Sequence, residues 1–157
     1  MNVVSNTSPI IILFYAQKLT ILNELFDTVF IPPAVFHELT SQAASKQLRS
    51  TIIKCPYIKV ESLDDVDLKL EHKLDLGEIE SIKLAKQMNC DILLLDDKRT
   101  QKEAAIQSIP YVSSFALLIK AGQMGIITNI DKSLELLKKH NIFPNNELKE
   151  FVSFLMD

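Results

Sequence analysis

The stretch from Asp75 to Asp97 reads DLGEIESIKLAKQMNCDILLLDD and decides the fold. Its first part begins with an acidic residue and carries apolar residues at helical spacing, which predicts a helix from about Asp75 to Asn89. Its second part is a short apolar run, residues 91–95, which predicts a strand. A helix that leads directly into a buried strand is typical of a parallel sheet covered by helices on both faces.

The same alternation of short apolar runs and helical stretches continues along the chain. Ser8 followed by Pro9 predicts an N-cap and the first residue of a helix, and Pro32-Pro33 predicts the start of another. We expect one α/β domain spanning residues 1–157, with residues 131–157 as a C-terminal helical extension packed on the domain or on a partner. Further strands are predicted at Val3–Ser5, Thr28–Ile31, Tyr57–Glu61 and Tyr111–Val112.

Composition excludes several classes of protein. A net charge of −3 argues against a large basic face that coats nucleic acid, and three glycines leave no glycine-rich phosphate loop. Cys55 and Cys90 have no zinc-ligand spacing, so we expect two reduced thiols. The apolar run from Pro9 to Ala16 is shorter than a membrane span, which takes about 20 residues. No basic residue precedes this run, so no signal peptide is predicted and the expected location is the cytoplasm.

Polar residues directly follow two of the predicted strands. Asn6 and Ser8 come after the first strand, and Asp96 and Asp97 come after the strand at 91–95. Ligands of open parallel sheets bind beyond the carboxyl ends of strands, near the point where the strand order reverses. The two aspartates are therefore candidate site residues. The structural alternative is a turn or an N-cap for a helix predicted at residues 99–107.

Two glutamates on predicted helices are further candidates. Helical periodicity places Glu78 on the same side as the apolar Ile82, whereas Glu80 is predicted to face solvent. Glu78 would face a cation at the strand ends, or alternatively interact with the amide end of its own helix. Glu38 lies beside the apolar Val35 in the helix that follows Pro32-Pro33. Its structural alternative is a solvated position on the flank of that helix.

These residue types suit the binding of a hard cation. Mg²⁺ and Mn²⁺ prefer oxygen ligands, and a bound ion lowers the pKa of a coordinated water and neutralises charge on a phosphate. Lys98, Arg99 and Lys102 lie close to the paired aspartates in sequence and could contact backbone phosphates. Their structural alternative is a solvated helix face.

Four blocks of sequence resemble the PIN-domain family, in a branch related to VapC toxins. They occur in the family's order and spacing and cover about the first 120 residues. The resemblance implies a three-layer α/β/α fold with a parallel sheet, an acidic site for Mg²⁺ or Mn²⁺, and ribonuclease activity in a toxin–antitoxin pair. It also implies an RNA substrate, a cognate antitoxin and a homodimer. The four blocks are Val4–Ile10, Ile31–Leu39, Leu76–Ala85 and Leu93–Asp97.

The resemblance assigns roles to individual residues. The four acidic positions of the family fall on Asn6, Glu38, Glu78 and Asp97, with Asp96 as an alternate metal ligand. The small hydroxyl residue that lines the site falls on Ser8, and Lys98 and Arg99 are candidates for substrate contacts.

Asn6 departs from the family pattern. An asparagine oxygen can ligate a metal, but it brings no negative charge and cannot act as a base. The leading expectation is a metal-dependent endoribonuclease, and its first rival is a catalytically impaired scaffold that binds RNA or a regulatory protein. A second rival, a receiver-like phosphoacceptor domain, would carry its paired acids after the first strand, whereas here the pair comes late.

Overall fold

A single parallel sheet forms the centre of the protein. The computed structural model describes residues 1–143, and within them five strands run parallel in the order β3-β2-β1-β4-β5. Receiver-like domains have the order 2-1-3-4-5, so the observed order excludes that rival. The strands are β1 (Val3–Ser5), β2 (Val29–Ile31), β3 (Ile58–Val60), β4 (Ile92–Leu94) and β5 (Tyr111–Val112).

Helices cover both faces of the sheet, so the predicted α/β/α architecture is confirmed. The helices of the described residues are α1 (Thr7–Tyr15), α2 (Ile21–Phe26), α3 (Pro33–Thr40), α4 (Lys46–Lys54), α5 (Leu76–Gln87), α6 (Lys98–Ile106), α7 (Ser114–Gln123) and α8 (Ile130–Lys139).

The sheet separates two apolar cores. Successive residues of a strand point to opposite faces, and in β1 Val3 joins one core whereas Val4 joins the other. The larger core lies under α1–α4, α7 and α8, and the smaller one lies under α5 and α6. Leu93 and Leu94 of β4 are likewise divided between the two cores, and both are fully buried.

The predicted strands are confirmed to within one residue at their ends, but the predicted start of α1 is wrong. Helix α1 begins at Thr7, with Asn6 at the N-cap position, so Ser8 and Pro9 are its second and third residues. The amides of a first helical turn have no partner within the helix. Proline is therefore tolerated at several positions of that turn, and its presence does not identify the first residue.

A long segment without helix or strand connects β3 to α5. We call residues 61–75 the strap. Its leucines at 63, 68, 70 and 74 pack against the smaller core. Side chains of α5 and α6 hold its backbone: Gln87 accepts from Asp64 N at 2.8 Å and donates to Ser62 O at 3.0 Å, and Glu103 accepts from Glu71 N at 2.7 Å. The strap is thus an ordered cover whose last residue, Asp75, is the N-cap of α5.

Helix α8 belongs to the region predicted as a C-terminal extension. It packs against α1 and α7, and its Leu137 is fully buried in the larger core. The rest of the predicted extension, from residue 144 onward, lies outside the described residues, which end at 143.

Neither cysteine forms a disulfide in the structure. Cys55 is half-buried and Cys90 is buried; burial raises the pKa of the Cys90 thiol to about 11. Across residues 1–143, no helix combines the length and the apolar character that a membrane span requires.

Candidate functional site

The strand order reverses between β1 and β4, and the candidate residues gather at the carboxyl ends of these two strands. Ser5 of β1 pairs with Leu94 of β4, and the amide of Asn6 donates to Leu94 O at 3.0 Å. The chain leaves β1 into α1, and it leaves β4 through Asp96 and Asp97 into α6. This edge is where open α/β sheets bind ligands.

Asn6 points toward α5 and does not cap its own helix. It occupies the N-cap position of α1 without a side-chain capping bond, and only 6% of its surface is exposed. Its Oδ1 lies 3.3 Å from the hydroxyl of Ser81, which also donates to Gly77 O at 2.7 Å. The neutral amide therefore has a polar partner on the helix that carries Glu78.

Glu38 connects three helices at this edge. From α3, its Oε2 accepts a hydrogen bond from Thr7 Oγ1 of α1 at 2.8 Å. Its other oxygen lies against Gly77, in the first turn of α5. The side chain as a whole remains exposed, as its structural alternative predicted, but its carboxylate is held in place on the site.

Glu78 takes part in the capping box of α5. Glu78 N donates to Asp75 Oδ1, and Asp75 N donates to Glu78 Oε2, each at 2.9 Å. The structural alternative, an interaction with the amide end of its own helix, is therefore present. Burial raises the pKa of the Glu78 carboxyl, and so do the negative charges of Asp75 and Asp97, against hydrogen bonds that lower it. Helices α5 and α6 both pack on the smaller core, and the charge of Asp97 acts on Glu78 from the start of α6.

Asp97 and Asp96 each hold the start of a helix. Asp97 is the N-cap of α6, and its Oδ2 accepts from the amide and the hydroxyl of Thr100, each at 2.9 Å. Asp96 reaches the first residue of α7: Oδ1 accepts from Ser114 N at 2.8 Å, and both oxygens lie 3.0 Å from Ser114 Oγ. Burial raises the pKa of Asp96, against the hydrogen bonds from Ser114. The N-cap role predicted as the alternative for this pair is present for Asp97, whereas Asp96 bonds to the first residue of a different helix, α7.

The candidate substrate-binding residues surround the acidic edge. Ser8 is exposed in the first turn of α1, and Lys98, Arg99 and Lys102 are exposed on α6. Arg99 Nη1 donates to Lys73 O of the strap at 3.4 Å. Lys98 lines a surface groove of about 510 Å³ together with Asp96, Gln101 and Tyr111.

The atoms at this edge that could ligate a metal are of the type that a hard divalent cation prefers. They are all oxygens, and Asp97 uses only its Oδ2 for both hydrogen bonds to Thr100. Across residues 1–143, however, no three histidine, cysteine, aspartate or glutamate side chains meet at the spacing of metal ligands. Holding an ion would therefore require Glu38, Glu78 and Asp97 to draw closer together.

Sequence reasoning missed the small polar partners of these acids. Thr7, Ser81 and Thr100 are nearly or fully buried, and each lies within hydrogen-bonding distance of a candidate residue. Thr100 could have been found, because a hydroxyl three residues after an N-cap aspartate suits a capping contact. The others depend on which helices the fold brings together, which spacing along the chain does not reveal.

The predicted role of Glu80 is wrong. Its Oε2 accepts a hydrogen bond from Ala34 N, in the first turn of α3, at 2.6 Å, and the side chain is half-buried. The amide end of a neighbouring helix attracts a carboxylate. Glu80 therefore joins α5 to α3 and brings their site-bearing turns side by side.

Comparisons with known proteins agree with the fold. A family model described as PIN domain matches residues 2–155. Among solved structures, the fold is similar to that of a PilT N-terminus domain protein from the hyperthermophilic archaeon Sulfolobus solfataricus. The TM-score is 0.55 at 16% sequence identity, and the match covers 77% of this chain and 93% of the other. At that identity the likeness shows the fold alone. No curated protein gives a significant match.

Proposed function

Because the chain belongs to the PIN-domain family, we propose that it is a metal-dependent endoribonuclease that cleaves RNA phosphodiester bonds. PIN domains are generally nucleases and typically use divalent metal ions, which supports this reading. The observation that carries it is the gathering of Glu38, Glu78 and Asp97 along the carboxyl edge of the sheet, around the switch between β1 and β4, at separations wider than those of metal ligands. Asn6 lies at the same edge, directly after β1.

In this proposal Glu38, Glu78 and Asp97 hold Mg²⁺ or Mn²⁺, with Asp96 as an alternate ligand. The ion would supply an activated water and neutralise the charge that grows on the phosphate. Asn6, which carries no charge, would orient a water or the substrate through its amide.

The groups beside the acids would orient the RNA. Lys98 and Arg99 are exposed at the start of α6, where they could contact backbone phosphates. Ser8 is exposed in the first turn of α1 and would line the same edge.

We further propose that this nuclease is the toxin of a toxin–antitoxin module. The four-block resemblance to the VapC-related branch supports that role. A cognate antitoxin, a homodimer and a cytoplasmic location belong to the same proposal. A small open reading frame encoding a DNA-binding protein beside this gene would favour the pairing.

One set of observations favours a second candidate, a scaffold that binds RNA or a regulatory protein without cleaving it. Glu78, Asp96 and Asp97 each accept a hydrogen bond at the start of a helix, so structural roles already account for their positions. Asn6 removes one negative charge that the family pattern would supply. RNA binding without cleavage, in a protein that is folded and supplied with Mn²⁺, would favour this candidate.

The test of the nuclease uses a substitution that keeps the helix cap. Asparagine caps helices about as well as aspartate, so Asp97→Asn should retain the bond from Thr100 and the fold while it removes one charge. We expect Mn²⁺-dependent cleavage of short single-stranded RNA by the parent protein, and its loss with a chelator or in Asp97→Asn. Asp131→Asn, an exposed change in α8, is the matched control. Unchanged Mn²⁺ affinity of Asp97→Asn in calorimetric titration would refute the assignment of Asp97.

A further inference from the structure

Gly77 occupies the second position of α5, where its own backbone does not require glycine. Glycine is less favourable than alanine within helices. Of the glycines in the described residues, only Gly125 has a left-handed φ, of 77°. The conformation of Gly77 would therefore accept a side chain, and the reason for glycine here has to lie in its surroundings.

The space beside Gly77 is filled by the carboxylate of Glu38. A Cβ added at Gly77 would overlap Oε1 of Glu38 and lie 3.2 Å from its Cδ. The other oxygen of Glu38 accepts the hydrogen bond from Thr7 Oγ1 at 2.8 Å. The carboxylate is thus confined between a hydroxyl of α1 and the bare backbone of α5, one residue from Glu78.

We propose that Gly77 is a positioning residue of the acidic site: its missing side chain lets Glu38 reach across from α3 to the first turn of α5. The positive end of the α5 dipole favours a carboxylate at that turn. A side chain at Gly77 would displace the carboxylate at the end of the long, exposed Glu38 side chain, so the fold would survive while Glu38 leaves Thr7. The metal-binding part of this proposal rests on the proposed function, whereas the positioning of Glu38 does not.

The first experiment tests, without any metal, whether Gly77 lets Glu38 reach Thr7. We expect Thr7→Val to lower the Tm of the parent protein, because Glu38 loses its hydrogen-bond donor. The same substitution should lower the Tm much less in the Glu38→Ala and Gly77→Ala backgrounds, where the contact is already gone. Gly122→Ala is the matched control: an added Cβ there would lie 3.6 Å from Ile130 Cδ1, an ordinary contact. In that background the effect of Thr7→Val should equal its effect in the parent.

The second experiment titrates each protein with Mn²⁺ by calorimetry. Loss of a group that orients a metal ligand typically costs about 10–100-fold in affinity, so we expect Gly77→Ala to bind at least about tenfold more weakly than the parent or Gly122→Ala. In the Glu38→Ala background, Gly77→Ala should add nothing further. If Thr7→Val lowers the Tm equally in the parent and in Gly77→Ala, Gly77 does not position Glu38 and the inference is overturned. If the parent binds no Mn²⁺, the proposed function fails, and the Tm series alone decides the role of Gly77.

Discussion

Replacement of His72 should destabilise the protein, because His72 supports a buried carboxylate. Glu103, on the inner side of α6, has no exposed surface. Its Oε2 lies 2.7 Å from His72 Nδ1, and its Oε1 accepts from Glu71 N at 2.7 Å. Burial by itself would raise the pKa of Glu103, but hydrogen bonds and charge from His72, together with the Glu71 amide, hold it below its ordinary value.

The expected loss follows from the burial of the two partners. Leaving a buried acceptor without one of its donors costs about 1–3 kcal/mol, and more when the acceptor is charged. The His72 side chain keeps 29% of its surface exposed, so water can partly replace it. We therefore expect His72→Ala to cost about 2 kcal/mol, which lowers Tm by about 4–8 °C in a domain of this size.

Circular dichroism at pH 7 measures this loss, and His37→Ala, at an exposed position of α3, is the control. A depressed folded-state pKa of Glu103 gives stability that is present above its unfolded pKa, near 4.5, and is lost as pH falls through the folded value. In His72→Ala the folded pKa rises toward or above the unfolded value, so Glu103 loses less stability as the pH falls below about 4.5. The gap in Tm between the parent and His72→Ala should therefore narrow in acid. A Tm at pH 7 that falls no further than in His37→Ala would refute the reasoning.

Two further predictions concern the acidic edge. Induced expression without the neighbouring gene should arrest growth. Glu78→Gln, which can retain the capping box, should relieve that arrest. Equal growth of induced and uninduced cells at matched protein levels would contradict the toxin role. Asn6→Asp should lower the Tm in chelator, because like charges repel, and raise the stabilisation gained from excess Mg²⁺ above that of the parent. Asn129→Asp, at the N-cap of α8, is the control. If Mg²⁺ stabilises Asn6→Asp no more than it stabilises the parent, Asn6 does not lie beside a bound ion.

The sheet could be predicted because its strands are short apolar runs between helical stretches. The run at 91–95 is buried from residue 93 to residue 95, so hydrophobicity alone identifies it. The start of α1 could not be predicted in the same way. Asn6, Ser8 and Pro9 all favour a helix start, and the choice between them depends on the pairing of Asn6 N with Leu94 O.

The sequence predicts which residues belong to the candidate site, but not which of them contact one another. Helical periodicity assigns Glu78 and Glu80 to faces of α5, but it does not say which helix end lies opposite each face. Glu80 was predicted to face solvent, yet it meets the amide of Ala34. The bond between Thr7 and Glu38 likewise exists because two separate helices start at the same edge of the sheet.

The division of the interior into two cores bears on how a bound ion would act on the whole molecule. Glu38 belongs to the layer of the larger core, whereas Glu78 and Asp97 belong to the layer of the smaller one. The two helical layers meet at a seam along the carboxyl edge of the sheet, joined there by Thr7, Glu38, Gly77 and Glu80. An ion bound by ligands from both layers would act as a cross-link between them. Neither layer could then loosen without releasing the ion.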